Sequence, residues 1–118
     1  MNERMRRVNE AVREVVSKGV VELKDPRIGF VTVTGVETSP DLRHAVVYVS
    51  VLGSEKKRER SLAGLEAAHG ALQRRLATEV RMKRTPQLTF QYDPSVAEGV
   101  RMSKLIDELV PNNDDAAG

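Results

Sequence analysis

Positively charged side chains are the most concentrated chemistry in this chain, and their densest stretch lies in its middle. Between Lys56 and Arg84 there are nine lysines and arginines against three glutamates, although the 118-residue chain has a net charge of only +2. From residue 85 to the end, acidic residues outnumber basic ones by six to two. A basic segment beside an acidic end is typical of a protein that binds a polyanion and keeps its tail away from the contact. A solvated helix face rich in arginine is the alternative interpretation.

Groups that could catalyse a reaction are few. With no cysteine, the chain has no thiol nucleophile or thiolate metal site, and neither glycine-rich phosphate-binding motif occurs. His44 and His69 lack the i, i+4 spacing of a helical zinc pair, and His69 is expected to be partly buried or to face a groove. Asp25, Asp41 and Asp93 each adjoin a proline, where a turn-forming role is favoured over acid–base catalysis. We therefore expect a protein that is not an enzyme and holds no cofactor or metal; a nuclease or deaminase has the least support.

The elements that position these residues are predicted from the periodicity of the apolar side chains. An apolar residue recurs every three or four positions over residues 5–23, which predicts a helix that ends before Asp25-Pro26. Alternating patterns predict two antiparallel strands over residues 28–37 and 42–52. Residues 54–60 contain no apolar side chain and are predicted to form a mobile, charged surface loop.

A second helix is predicted from Ser61, as its cap, to Val80, with one apolar stripe along its whole length. Ala68-His69-Gly70 interrupts this segment, and a glycine inside a helix costs about 1 kcal/mol relative to alanine. We expect Gly70 to bend the helix at this point without ending it. A short third strand is predicted over residues 88–92.

A weaker helical pattern follows and ends at Pro111, and residues 111–118 have the polar composition of a disordered acidic tail. The order of elements predicts an α+β domain over residues 3–110, with a three-stranded sheet, helices on one face and a further helix at the C-terminus. No segment has the length and hydropathy of a membrane span. A cytoplasmic protein without a membrane partner is therefore expected.

The order helix, strand, strand, kinked helix, strand resembles the type II KH domain, whose two middle helices flank a Gly-x-x-Gly loop that clamps the nucleic-acid backbone. Here Ala68-His69-Gly70 stands in place of that loop. Over about residues 4–110 the chain closely resembles the bacterial ribosome-binding factor A family. The residues that carry the resemblance are Arg7-Val8, Asp25-Pro26-Arg27-Ile28, residues 31–36, Asp41-Leu42, residues 45–51, Ala68-His69-Gly70, residues 86–90, Tyr92-Asp93, Gly99, Arg101 and Met102.

This resemblance implies a ribosome assembly factor that binds the small (30S) ribosomal subunit and its 16S rRNA. It further implies a role in late maturation and in processing of the rRNA 5′ end, most important during growth in the cold, with no catalytic site. A monomer with no small-molecule substrate is expected. The resemblance assigns Ala68-His69-Gly70, called the kink motif, as a feature of the family. The RNA-binding residues, by contrast, are inferred from charge alone. They are Arg74, Arg75, Arg81, Lys83, Arg84, Lys56, Lys57 and Arg58.

The four aromatic residues, Phe30, Tyr48, Phe90 and Tyr92, all fall within predicted strands. In that setting, core or sheet packing is favoured over base stacking. RNA recognition is therefore expected to use backbone and shape contacts, with strong salt dependence. The alternative is a protein-interaction module that uses the same KH-like scaffold to dock a ribosomal protein or a GTPase.

Overall fold

The computed structural model describes residues 2–95. The predicted C-terminal helix and the acidic tail lie outside these residues. Within them the structure has the predicted α+β class and the predicted order of elements. These elements are α1 (Glu3–Glu22), β1 (Val31–Thr38), β2 (His44–Val51), α2 (Glu55–Ala67), α3 (His69–Glu79) and β3 (Gln87–Tyr92).

The three strands form one sheet in the order β1-β2-β3. β1 and β2 pair antiparallel, as predicted, and β3 pairs parallel to β2. A β-bulge between Val33 and Gly35 shifts the register of β1. Because a bulge inserts one extra residue, the buried positions of β1, Val33 and Val36, are three residues apart instead of the two that regular alternation gives. The sequence pattern did not reveal this shift.

One face of the sheet packs against the helices and forms the core. β2 buries Ala45, Val47 and Val49 completely, as the alternation predicted. The helices complete the core with the apolar stripes that the three- and four-residue spacing predicted. Their buried side chains are Val12, Val15, Val16, Val20, Leu65, Leu72 and Leu76. Among residues 2–95, no helix is long and apolar enough to cross a membrane.

The prediction of a charged loop over residues 54–60 was wrong, because this segment is the first half of α2. Ser54 caps the helix by accepting a hydrogen bond from the Lys57 N–H at 3.2 Å. Glutamate, lysine and arginine favour helix formation, so a capped run of them forms a helix without any apolar stripe. Ser61 is therefore not a cap but a fully buried residue within α2.

The join between α2 and α3 lies at Ala68 rather than at Gly70. Ala68 has φ −89° and ψ 2°, in the bridge region between helical and extended geometry. Gly70 lies in the first turn of α3, and a Cβ there would approach only the Arg74 Nη1, at 3.4 Å. The break therefore lies within the predicted Ala68-His69-Gly70 interruption, but at Ala68 rather than at Gly70, and it divides the segment into two helices instead of bending one.

Gly64 has a packing reason to be glycine, whereas Gly70 has none. A Cβ on Gly64 would lie 2.6 Å from Ile28 Cγ1, because α2 lies directly against the segment that leads into β1. Overpacking of this kind costs about 1–3 kcal/mol, which exceeds the gain in helix propensity of about 1 kcal/mol.

We expect Gly64→Ala to lower the free energy of unfolding by about 1 kcal/mol and Gly70→Ala to raise it by about 0.5 kcal/mol. Urea unfolding of both variants measures this, and shifts of the same sign would contradict the assignment.

Candidate nucleic-acid interface

The predicted basic residues in and after α3 point away from the core. α3 turns Leu72 and Leu76 inward, so Arg74, which lies on the opposite side of the helix, is exposed. Arg81, Lys83 and Arg84 are exposed in the segment that connects α3 to β3. Within residues 2–95, none of these four cations forms an ion pair, so their charges are not neutralised by a neighbouring carboxylate. The four residues Arg74, Arg81, Lys83 and Arg84 are called the α3 basic surface below.

Arg75 differs from its neighbour because its guanidinium is already engaged. It donates to Glu22 at the end of α1 and to Glu79 one turn further along α3. These two carboxylates raise the pKa of Arg75, and its side chain is only a quarter exposed. Arg75 therefore joins α1 to α3, and its charge is less available to a ligand than that of Arg74.

The basic residues of α2 lie at the other end of the sheet. α2 begins just after β2 ends, whereas the segment after α3 leads to Gln87, which pairs with the first residue of β2, His44. Eight residues of extended strand separate the two positions, or roughly 25 Å at 3.3 Å per residue. The structure therefore does not bring the eight predicted residues into one surface.

Within the α2 group the three cations have different surroundings. Lys56 and Lys57 are exposed. Arg58 lies over the ring of Tyr92, with its Cζ 4.4 Å from the centroid, and is 3.5 Å from Glu55. A cation over an aromatic face is held there by the ring quadrupole. Arg58 therefore packs α2 against β3.

Two side chains of α3 hold the backbone at the start of β3. Gln73 donates from Nε2 to the Pro86 carbonyl at 2.7 Å and accepts the Leu88 N–H on Oε1 at 3.0 Å. His69 donates from Nε2 to the Leu88 carbonyl at 2.8 Å. Because β3 is an edge strand, the outward N–H and C=O of Leu88 have no strand partner, and α3 supplies one for each.

This contact defines what the kink motif does. His69 is half-buried, as predicted, and it fixes the first turn of α3 against β3. Gln73 fixes the end of the segment that carries Arg81, Lys83 and Arg84. Gln73 was not among the predicted site residues, although its i, i+4 spacing from His69 places both side chains on one face of a helix.

The three aspartates beside prolines form turns, as predicted. Asp25, Asp41 and Asp93 each accept the backbone N–H of the residue two positions later, at 2.9, 3.1 and 2.9 Å. Hydrogen bonds from Arg27, Ser39 and Ser95 respectively are the main causes that lower the pKa of each carboxyl group. Residues 2–95 contain no group of three histidine, cysteine, aspartate or glutamate side chains able to hold a metal ion.

Comparison with known proteins identifies relatives over most of the chain. The sequence profile of the ribosome-binding factor A family matches residues 4–106. A ribosome-binding factor A of Geobacter metallireducens is 43% identical over 110 residues, which cover 92% of this chain and 93% of the relative. The crystal structure of ribosome-binding factor A from Thermus thermophilus matches with a TM-score of 0.68 and 31% identity, covering 75% of this chain and 93% of that one.

A further structural match comes from a ribosome complex. It is a homology model of the Thermus thermophilus ribosome-binding factor A, fitted into the cryo-EM map of a complex of that protein with the 30S subunit. The match has a TM-score of 0.62 and 31% identity, and covers 73% of this chain and 91% of that one.

The Gln73 contact predicts a loss of stability when the amide is removed. In Gln73→Ala the Leu88 N–H and the Pro86 carbonyl lose their partner in a part-buried position, which costs about 1–3 kcal/mol. We expect the free energy of unfolding to fall by about 2 kcal/mol in urea denaturation. Gln91→Ala is the matched control, because Gln91 is exposed on the same strand that Gln73 holds and its replacement should change stability by no more than about 0.5 kcal/mol. Equal stability of the two variants would contradict this role of Gln73.

Proposed function

Because this chain belongs to the ribosome-binding factor A family, we propose that it is an assembly factor that binds the small ribosomal subunit. Similarity of both sequence and fold over most of the chain supports the proposal. So does the structural relative that is fitted into the map of a 30S complex. In this role the protein acts by binding in the cytoplasm, as a monomer and without catalysis.

The α3 basic surface is the observation that connects this function to 16S rRNA. Its four cations lie on the outside of the helix and on the segment after it, with no ion pair to another described residue. Unpaired cations favour a phosphate-rich partner, because binding releases condensed counterions and costs no existing ion pair. Arginine is suited to this contact because its planar fork binds phosphate oxygens bidentately.

The join between α2 and α3 favours phosphate contacts from outside over clamping of a single strand. A single residue, Ala68, connects the two helices, and its N–H still bonds to Gly64 and Leu65 carbonyls at 3.1 Å. The Gly-x-x-Gly loop of KH domains holds four nucleotides of backbone, and a one-residue join offers no comparable loop. We infer that the rRNA lies across the outer face of α3. We further propose that the chain takes part in late maturation of the small subunit, including processing of the rRNA 5′ end, and that this role is most important during growth in the cold.

Association with immature subunits is the direct test of this function. We expect the chain to sediment with free small subunits in a sucrose gradient and to be absent from fractions of mature ribosomes. Recovery at the top of the gradient, or equal amounts on mature ribosomes, would contradict the proposal.

The α3 basic surface makes a second prediction, about salt dependence. Arg74→Ala with Arg84→Ala should weaken binding to purified small subunits. The slope of log K against log salt should fall by about 0.7–0.9 for each phosphate that the variant no longer binds. A fluorescence anisotropy titration at several salt concentrations measures both quantities.

The matched control replaces two exposed arginines of α1, in Arg4→Ala with Arg13→Ala. This double variant removes the same charge from the chain, so its affinity and slope separate a local contact from a net-charge effect. Equal losses in the two double variants would refute a specific surface on α3. Crosslinking of the bound protein to ribosomal protein rather than to rRNA would favour a protein-docking role instead.

A further inference from the structure

Phe30 is exposed, contrary to the expectation that every aromatic residue packs in the core or the sheet. It lies one residue before β1 and is 80% exposed. β1 turns Val33 into the core and Val31 packs against that core, so alternation turns Phe30 outward. Phe90, by contrast, is buried. The other large apolar side chains that are exposed within residues 2–95 are Val21, at 81%, and Leu52, at 73%.

The backbone that presents Phe30 is held on both sides. The buried Ser61 hydroxyl accepts the Gly29 N–H at 3.1 Å and donates to the Arg27 carbonyl at 3.4 Å. The Phe30 carbonyl accepts the Leu52 N–H at 3.0 Å. The backbone at Phe30 is therefore held in position, which reduces the backbone entropy lost when a ligand binds to the ring.

Three cations line a groove with this ring on the side of α2. Phe30 and Leu52 line a shallow groove of about 230 Å³ together with Arg27, Lys57 and Arg60, and no carboxylate lines it among the described residues. Asp25 lies nearby and pairs with Arg27 at 2.7 Å, so Lys57 and Arg60 supply the net positive charge.

The position of Lys57 depends on Gly53. The aliphatic stem of Lys57 passes over Gly53, where a Cβ would come within 2.7 Å of the Lys57 Cδ. Gly53 has φ +124°, a conformation that other residues rarely adopt. This combination places the lysine stem beside Leu52, at the edge of the groove.

We propose that Phe30 stacks against an unpaired base of ribosomal RNA and that Lys57 and Arg60 contact the phosphates beside that base. This inference rests on the proposed function. An exposed aromatic ring within a positively charged groove is the arrangement by which proteins bind single-stranded nucleic acid. Phe30 also lines an adjoining groove with Val21 and Leu23. The exposed large apolar side chains of the two grooves are still only Phe30, Val21 and Leu52, a small apolar area for the core of a protein interface, which buries about 800 Å² on each partner, whereas one base covers one ring.

The proposal gives the protein two separate RNA contacts. The groove lies beside the end of β2, because Leu52 follows β2 directly, and the α3 basic surface extends to the segment beside its start. The groove and that segment lie roughly 25 Å apart along the strand. Phosphate contacts on α3 are independent of sequence, so stacking on Phe30 adds a requirement for an unpaired nucleotide at a fixed distance.

The test compares three replacements of Phe30 with a control at Val21. We expect Phe30→Ala and Phe30→Leu to bind purified small subunits about tenfold more weakly, because loss of one stacked base has that effect. Phe30→Tyr keeps the aromatic face and should bind like the parent chain. Val21→Ala shortens an equally exposed side chain that lines the adjoining groove with Phe30 but has no aromatic face, and it should also bind like the parent. Thermal unfolding should be unchanged in all four, since both side chains are exposed.

Unchanged affinity of Phe30→Ala would overturn the proposal. Recovery of full affinity by Phe30→Leu would also overturn it, because the contact would then be with an apolar protein side chain rather than a base.

If the parent chain itself does not bind small subunits, the proposed function fails. Stacking on the residue at position 30 is then tested separately, by the binding of a 12-nucleotide oligouridylate. The chain has no tryptophan, so Phe30→Trp introduces a single fluorophore. Quenching by the oligonucleotide in Phe30→Trp but not in Gln91→Trp, which places the fluorophore on the opposite edge strand, would support the site, and equal or absent quenching would overturn it.

Discussion

Parallel pairing of β3 with β2 is the constraint on which the rest of this structure depends. It requires the chain to leave the end of β2 and return to its start, a distance of roughly 25 Å. α2 and α3 together span residues 55–79, which a straight helix would extend over about 37 Å. The break at Ala68 lets this length bend, so that Leu65 before it and Leu72 after it are both buried. Close approach at Gly64, and at Gly19 of α1, where a Cβ would lie 2.6 Å from Leu72 Cδ2, then closes the core.

Local periodicity was sufficient for the order of elements but not for the contacts between them. The stripe of α1 and the alternation of β2 appear directly in the sequence, because each pattern reports which side of one element is buried. The importance of Gly64 could not be found this way, because it depends on Ile28, which is 36 residues away in the chain. Gly70 stands out in the sequence because it lies inside a helical pattern, but no close contact among the described residues requires a glycine there. The helix over residues 55–60 was missed for a related reason: its signal is a cap and favourable propensity, and no core-facing stripe accompanies them.

The candidate site shows the same division between local and distant information. The clustering of charge along the chain was visible, but the separation of that charge into two ends of the sheet follows from topology. The engagement of Arg75 follows from Glu22, on a different helix. The exposure of Phe30 depends on which residue begins the inward alternation of β1, and a shift of one position would have buried the ring. A single strand pattern does not determine that register.

The side chains that stabilise the fold and those available to a ligand form nearly separate sets. His69 and Gln73 satisfy the edge of β3, and Arg75 joins two helices, so their polar groups are already used. The α3 basic surface contributes little to folding, because exposed charges and surface ion pairs are worth at most about 1 kcal/mol. Phe30 leaves unused the roughly 1.5–3 kcal/mol that burying such a ring supplies. That free energy is available to a partner that covers the ring, which makes an exposed phenylalanine on a fixed backbone better suited to recognition than to stability.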